Sequence, residues 1–368
     1  MSRFSNLGHR LYQGEVSFDF VGRRKVWYSI SGIIVLVAAI GLAMGLHLGI
    51  EFKGGSVYTV TKPGLTVTQA RDVANKITGD TNSLVQSTDK TIKIQVSSDV
   101  KVDSVTFIKE LSTDLGVTSD KINAQVVGPS WGHEISQKAL TGLIIFMVLV
   151  TIYLAIAFEW RMAIAALVAL IHDLLITIGV YALVGFEVTP GTVIGFLTIL
   201  GYSLYDTVVV FDTVKENAKG ITKQNKLTFS EAANAGLNQT LVRSINTTVV
   251  ALLPVAALLF IGGGLLGAGT LNDISLALFI GLAAGAYSSI CVATPLYAQL
   301  KEATPEMRAL AKRVAQRRAA DAKAAAEAPE GTSAEDESED DEVEAGMVGQ
   351  RKQPVSRSRT KGRPSGKH

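Results

Sequence analysis

Charge is scarce in this chain. Only 18% of its 368 residues are Asp, Glu, Lys or Arg, against 48% hydrophobic, and the mean hydropathy is +0.29. Soluble globules carry about 25% charged residues, so the balance disfavours that class and points to the membrane. Cysteine is nearly absent as well. The single thiol, Cys291, lies in an apolar run, which excludes an intrachain disulfide and leaves little chance for sulfur ligation of a cofactor. No G-x-x-x-x-G-K-[ST] loop occurs, so a Walker-type nucleotide site is excluded. The net charge of +2 says little, because the charges sit in separated blocks.

What the chain has instead is six apolar runs of about twenty residues, the length a helix needs to cross hydrocarbon. They lie near Val26 to Leu46, Ala139 to Phe158, Met162 to Val184, Thr192 to Val214, Leu241 to Ile261 and Ile274 to Leu296. The first run is longer than a signal-peptide core and no A-x-A-like site follows it, so it reads as a retained anchor. Lys and Arg mark one set of flanks: Arg23 to Lys25, Arg161, Lys215 to Lys226, Lys301 and Arg308. The loops from Phe186 to Gly191 and from Gly262 to Asp273 have neither. The positive-inside rule then predicts a multi-pass membrane protein with both termini cytoplasmic.

This predicts a cytoplasmic start (1–25), the first transmembrane helix (26–48), an extracytoplasmic domain (49–138) and five more helices (139–296) with a cytoplasmic loop at 215–240. A juxtamembrane helix (297–328) and a charged tail (329–368) complete the chain. In the outer segment, alternating and helical periods follow one another. Strands are predicted at Ser56 to Thr61, Asn82 to Thr88, Thr91 to Ser97 and Lys121 to Val127, with a break at Asp89-Lys90 and helices at Thr66 to Thr78 and Val102 to Leu115. The order β-α-β-β-α-β is that of a ferredoxin-like α+β domain. Thr228-x-x-Glu231 matches a capping box leading toward the fifth span. Glu306 to Ala328 reads as a surface helix beside the headgroups. In the tail an acidic run, Glu335 to Glu344, precedes a basic end from Arg351 to Lys367, a composition that builds no core. It reads as a solvated tail, with contact to anionic lipid or ribosomal RNA as the other reading, and no specific nucleic-acid site is expected.

Ionisable residues within the spans carry the functional signal, since each costs at least about 2.5 kcal/mol near the bilayer centre. His172 and Asp173 lie mid-way along the third span, Asp206 in the fourth and Arg243 in the fifth. Tyr202 and Ser203 precede Asp206 by four and three residues, giving a face with two hydroxyls and a carboxyl, expected to point inward. Arg243, Asn246 and Thr247 form a stripe at i, i+3 and i+4 that turns apolar at Val250. Asp206 is the natural titrating group and Arg243 a permanent counter-charge. The competing reading is a static Asp206–Arg243 pair that fixes helix register. For His172 and Asp173, a functional role and a simple hydrogen bond to a neighbouring helix stand level. Asp212, near the end of its span on another face, reads as structural. Gly191, Gly195 and Gly201 are expected to admit close helix packing, and Pro254 to kink the fifth span.

These stretches, His172-Asp173, GFEVTPGTVIGFLTILGYSLYDTVVVFDTVKEN and NQTLVRSINTT, resemble the SecF family of the SecDF membrane complex. Glu51-Phe52-Lys53-Gly54-Gly55 resembles that family's FxGG element, and VGPSWGHEI at Val127 to Ile135 its GP element. The resemblance implies a half bundle related to the RND transporters and an auxiliary of the Sec export channel that draws on the proton gradient. It implies SecD as the second half, a SecY-type channel and preproteins as partners, the proton as coupling ion, and no cofactor, metal or enzymatic activity. Asp206 matches the family's relay aspartate and Arg243 its partner arginine, with Asp212 and Thr247 at other motif positions. Three positions depart from the pattern: Tyr205 for the common Asn, Glu51 for Asp and Ser244 for Thr. Two other classes share single features. An intramembrane aspartyl protease would share Tyr205-Asp206 but lacks a GxGD on any later span, and a half-size exporter of small molecules would share the bundle without the Sec-type motifs.

Overall fold

A computed structural model describes residues 17–79, 83–88, 91–97, 100, 103–265 and 269–327. The expected break at Asp89-Lys90, the predicted starts at Asn82 and Val102, and the charged blocks of the tail lie outside them. The described residues divide into two units, one running through Gln316 and the other beginning at Arg317.

Helix α1, Arg24–Met44, is the first span. It leads through β1 (His47–Leu48) and the short α2 (Ile50–Lys53) into a four-stranded α/β domain: β2 (Gly55–Thr61), α3 (Val67–Thr78), β3 (Leu84–Thr88), β4 (Thr91–Ser97), α4 (Ser104–Leu115) and β5 (Ile122–Val127). The predicted order is observed. The sheet runs β3-β4-β2-β5 with all neighbours antiparallel, and Tyr58 of β2 stands between Ile94 and Ala124. Alternate residues Tyr58, Val60, Ile92, Ile94 and Val96 are buried, and with Ala70 and Ala74 of α3 and Phe107 and Leu111 of α4 they form one core. Both helices start on side-chain caps: Thr66 with Gln69 in a capping box, and Asp103 accepting from the Thr106 amide.

The other spans are α5 (Pro129–Ala157), α6 (Trp160–Val184), α7 (Pro190–Asn217), α8 (Phe229–Ala257) continued as a π-helix over Leu258–Leu265, and α9 (Gly269–Ser288) continued by a π turn, Ser289–Ala293, into α10 (Thr294–Glu302). Most run past the predicted limits. The apolar count measures only hydrocarbon thickness, while the helices extend to their caps: Thr189 before Pro190, and Thr228, whose capping box with Glu231 starts α8 as one continuous helix. Four residues past Pro254 the fifth span widens into its π segment. The first, second and fifth spans turn Ile33, Leu36, Leu149, Ile156, Val250 and Leu253 outward, a band suited to lipid. The third, fourth and sixth form the packed centre.

At the seam between bundle and α/β domain, β1 pairs in parallel with β6 (Glu187–Val188), His47 opposite Glu187. The FxGG-like and GP-like segments meet here. Gly54 and Gly55 take φ of 75° and 136°, open to glycine alone, and a Cβ on Gly132 at the start of α5 would sit 2.8 Å from the Phe52 carbonyl oxygen. Carboxylates crowd the seam. Burial, then the charges of Glu51 and Asp273 against the opposing Lys93, push the Glu187 carboxyl up to about 7. The Gln95 amide, oriented to suit its neighbours, donates to Glu187 Oε1 at 3.3 Å and accepts from the Ile50 amide at 3.1 Å.

At the opposite end the stretch before α1 is strapped to α8. The Asn234 and Asn238 amides both donate to the Phe18 carbonyl at 2.9 Å, Asn238 Oδ1 accepts from the Phe18 amide at 2.8 Å, and Asn234 Oδ1 accepts from Phe20 and Val21 at 2.9 and 3.2 Å. Arg24 pairs with Glu302 at 2.9 Å, and Lys301 pairs with Glu159. Helix α11, Pro305–Glu327, buries Met307, Leu310 and Val314 in the bundle core, so its apolar face packs on the protein rather than only beside headgroups. In the second unit, Arg317 Nε lies 3.6 Å from Asp321.

Candidate functional site in the helix bundle

The inward stripe of the fourth span is Gly191, Thr192, Gly195, Phe196, Ile199, Leu200, Ser203, Asp206, Thr207 and Val210, the i, i+3, i+4 spacing of one helix face. It packs on the sixth span at very short range. A Cβ on Gly281 would fall 2.1 Å from Ile199 Cδ1, one on Gly285 3.0 Å from Ser203 Cβ, and one on Gly195 2.7 Å from Ala277 Cβ. Gly201 faces open space instead, which corrects its expected packing role. The backbones are thus close enough for short hydroxyl side chains to bridge helices.

Two buried carboxyls use those bridges. Asp206 is 6% exposed, and the Ser244 hydroxyl of the fifth span lies 2.8 Å from both of its oxygens. Asp173 of the third span is 1% exposed; its Oδ2 accepts from Ser203 at 2.5 Å and from Ser288 of the sixth span at 2.8 Å. Its Oδ1 lies 3.3 Å from His172 Nδ1. Thr207 and Ser289 share a hydrogen bond of 2.9 Å beside these groups. The π turn begins at Ser289, so Ser288 serves the third span and Ser289 the fourth.

The Arg243 charge is within electrostatic reach of Asp206 but forms no ion pair with it among the described residues. Ser244, Thr248 and Leu241 turn inward on the fifth span, and Arg243, about 100° round the helix from Ser244, is exposed with Asn246, while Thr247 is half-buried. Among the described residues Arg243 makes no ion pair, so the static-pair reading fails for this chain alone. Ser203 and Asp206 point inward as expected, but Tyr202 is half-buried and its hydroxyl has no hydrogen-bond partner among the described residues. Asp212 is exposed near the end of α7, where it lines an open cavity of about 750 Å³ with Lys215, Lys219 and Tyr297. Ser244, Thr207, Ser288 and Ser289 are site residues that the sequence reading did not select. The usable signal was a hydroxyl at helical spacing along an apolar run, as in AYSSICVATP.

Two family models match: protein export membrane protein SecD/SecF, C-terminal, over residues 107–303, and the SecD/SecF GG motif over residues 40–61. The protein translocase subunit SecF of Streptomyces coelicolor is 59% identical over 100% of both chains. The chain belongs to the SecF family. The SecF of Mycobacterium tuberculosis is 41% identical over 85% of this chain and 75% of its own. A crystal structure of SecDF from Thermus thermophilus, a translocon-associated membrane protein, superposes with a TM-score of 0.67 at 30% identity, covering 78% of this chain and 39% of that one. This SecF chain therefore spans about two fifths of that SecDF chain. It is a multi-pass membrane subunit of the Sec protein-export machinery and not an enzyme, which removes the protease and small-molecule exporter readings.

Proposed function

We propose that this SecF chain couples proton movement to preprotein export through Asp206, working beside a second membrane half that covers the fifth span. The observation that carries this is that no ion pair joins Asp206 to Arg243 among the described residues. Asp206 is buried against a neutral hydroxyl, while the permanent cation of Arg243 stands on an open flank. A carboxyl with only hydroxyl partners gains and loses a proton more readily than one locked to an arginine. An exposed arginine in a membrane span demands an acidic or polar partner from outside the chain. A SecD-type subunit is the natural source, since the solved SecDF structure holds a chain about twice this length.

In this reading both termini and α11 lie in the cytoplasm, the α/β domain lies outside the cytoplasmic membrane, and a SecY-type channel delivers the preprotein. Each protonation state of Asp206 favours its own packing against Ser244, and the α/β domain follows through α1 and the β1–β6 seam. One proton falling through 100 mV supplies about 2.3 kcal/mol, roughly a fiftyfold bias on a two-state element.

The test is proton-driven export in membrane vesicles that carry the complex. Asp206→Asn should leave assembly with the second subunit intact and abolish the part of export that depends on the proton gradient. Undiminished export by Asp206→Asn overturns the relay, and purification of this chain alone in mild detergent overturns the second half.

A further inference from the structure

The relay reading leaves the His172–Asp173 pair unused. His172 is only 6% exposed, in the middle of the third span. Two hydroxyls, Ser203 and Ser288, donate into Asp173 Oδ2, which fixes that carboxyl as an acceptor. Oδ1 is left facing His172 Nδ1 at 3.3 Å, and the matching arrangement puts the ring proton on Nδ1. Nε2 is then a bare lone pair, and it is buried without a hydrogen-bond partner among the described residues. The ring is held on its other side by Tyr287, centroids 6.0 Å apart and 27° between planes, whose hydroxyl bonds to Ser31 of the first span at 2.8 Å.

We propose that His172, oriented by Asp173, is a second proton-binding site of this bundle, with Nε2 as the accepting atom. An N–H bond forms at Nε2 as an O–H bond of hydronium breaks, its electron pair staying with the water. The product is an imidazolium beside a carboxylate, neutral as a pair. Titratable groups on the helices packed against α6 include Arg24 and Tyr28 of the first span, Tyr153 of the second, Tyr202, Tyr205 and Asp206 of the fourth, and Asp273, Tyr287, Cys291, Tyr297 and Lys301 of the sixth. The site deepens the relay reading and rests on it. Ser203, which holds Asp173, lies one turn from Asp206 on the same stripe, and Ser288, its other holder, adjoins Ser289, which bonds Thr207.

The experiment is nitrogen NMR of the full chain in lipid nanodiscs with ¹⁵N-histidine, the His172 signals assigned by their loss in His172→Asn, over about pH 5 to pH 9. At high pH the ring should show N–H at Nδ1 and a bare Nε2; on acidification Nε2 should gain its proton. Asp173→Asn should release the tautomer preference, the proton no longer held at Nδ1, since the ring loses the acceptor that orients it. A ring unchanged across the range, a proton on Nε2 at high pH, or a tautomer indifferent to Asp173→Asn overturns the site. The two readings separate cleanly: a silent His172 with export still abolished by Asp206→Asn removes only the second site, whereas a titrating His172 with export unaffected by Asp206→Asn removes the relay.

Discussion

At the scale of single residues, the bundle depends on where a side chain is missing. Gly281 meets Ile199 so closely that one added methyl would overlap it, and overpacking of this kind costs about 1–3 kcal/mol. Gly201, on the same pair of helices, meets nothing. Gly281→Ala should therefore lower the melting temperature of the purified protein by several degrees and Gly201→Ala should leave it within error. Equal shifts in the two would remove the close fourth–sixth span contact. That contact brings Ser203 to Asp173 and Thr207 to Ser289, so the glycine position also conditions the polar network.

At the scale of elements, the fifth span is the most heavily used helix. One face holds Ser244 against Asp206, another presents Arg243 outward, and its first turns hold the strap before α1 through Asn234 and Asn238. The strap ties the fifth span to the first, whose other end enters the α/β domain by way of β1. Replacing both asparagines by Ala removes five hydrogen bonds worth roughly 1 kcal/mol each at most, fewer where water replaces them. The expected result is a stability loss of about 1–3 kcal/mol and faster amide exchange at Phe18 to Val21, read by hydrogen-exchange mass spectrometry. Unchanged exchange there would show that Val21 burial and the Phe20–Trp27 stack, rather than the amides, hold the strap.

At the scale of the whole molecule, the seam joining α/β domain and bundle is pH-sensitive by construction. Glu187 holds its proton up to about 7 in the folded protein against an ordinary 4.5. The folded state therefore binds more protons than the unfolded state between these values, and the contribution of Glu187 falls as pH rises through that window and is level above it. Thermal unfolding in detergent should show wild type losing about 2–3 kcal/mol relative to Glu187→Gln between pH 4.5 and 7. Parallel curves for the two proteins would remove the buried carboxylate cluster as their cause.

Across these scales, what the sequence determined by itself was everything written in local periods. Six apolar runs, the alternation of β2 and β4, and the caps at Thr66 and Thr228 each express an interaction between residues a few positions apart, and their elements formed as expected. The inward place of Ser203 and Asp206 was legible for the same reason, since one helix face repeats every three to four residues. Only the tertiary structure decided which of two neighbours on the fifth span, Arg243 or Ser244, would meet Asp206. A helix turns about 100° per residue, so that choice depends on the rotation of one span against another, which packing of Thr248, Leu241 and the glycine-lined sixth span sets. The union of Asp173 with Ser288 across 115 residues rests on that packing as well.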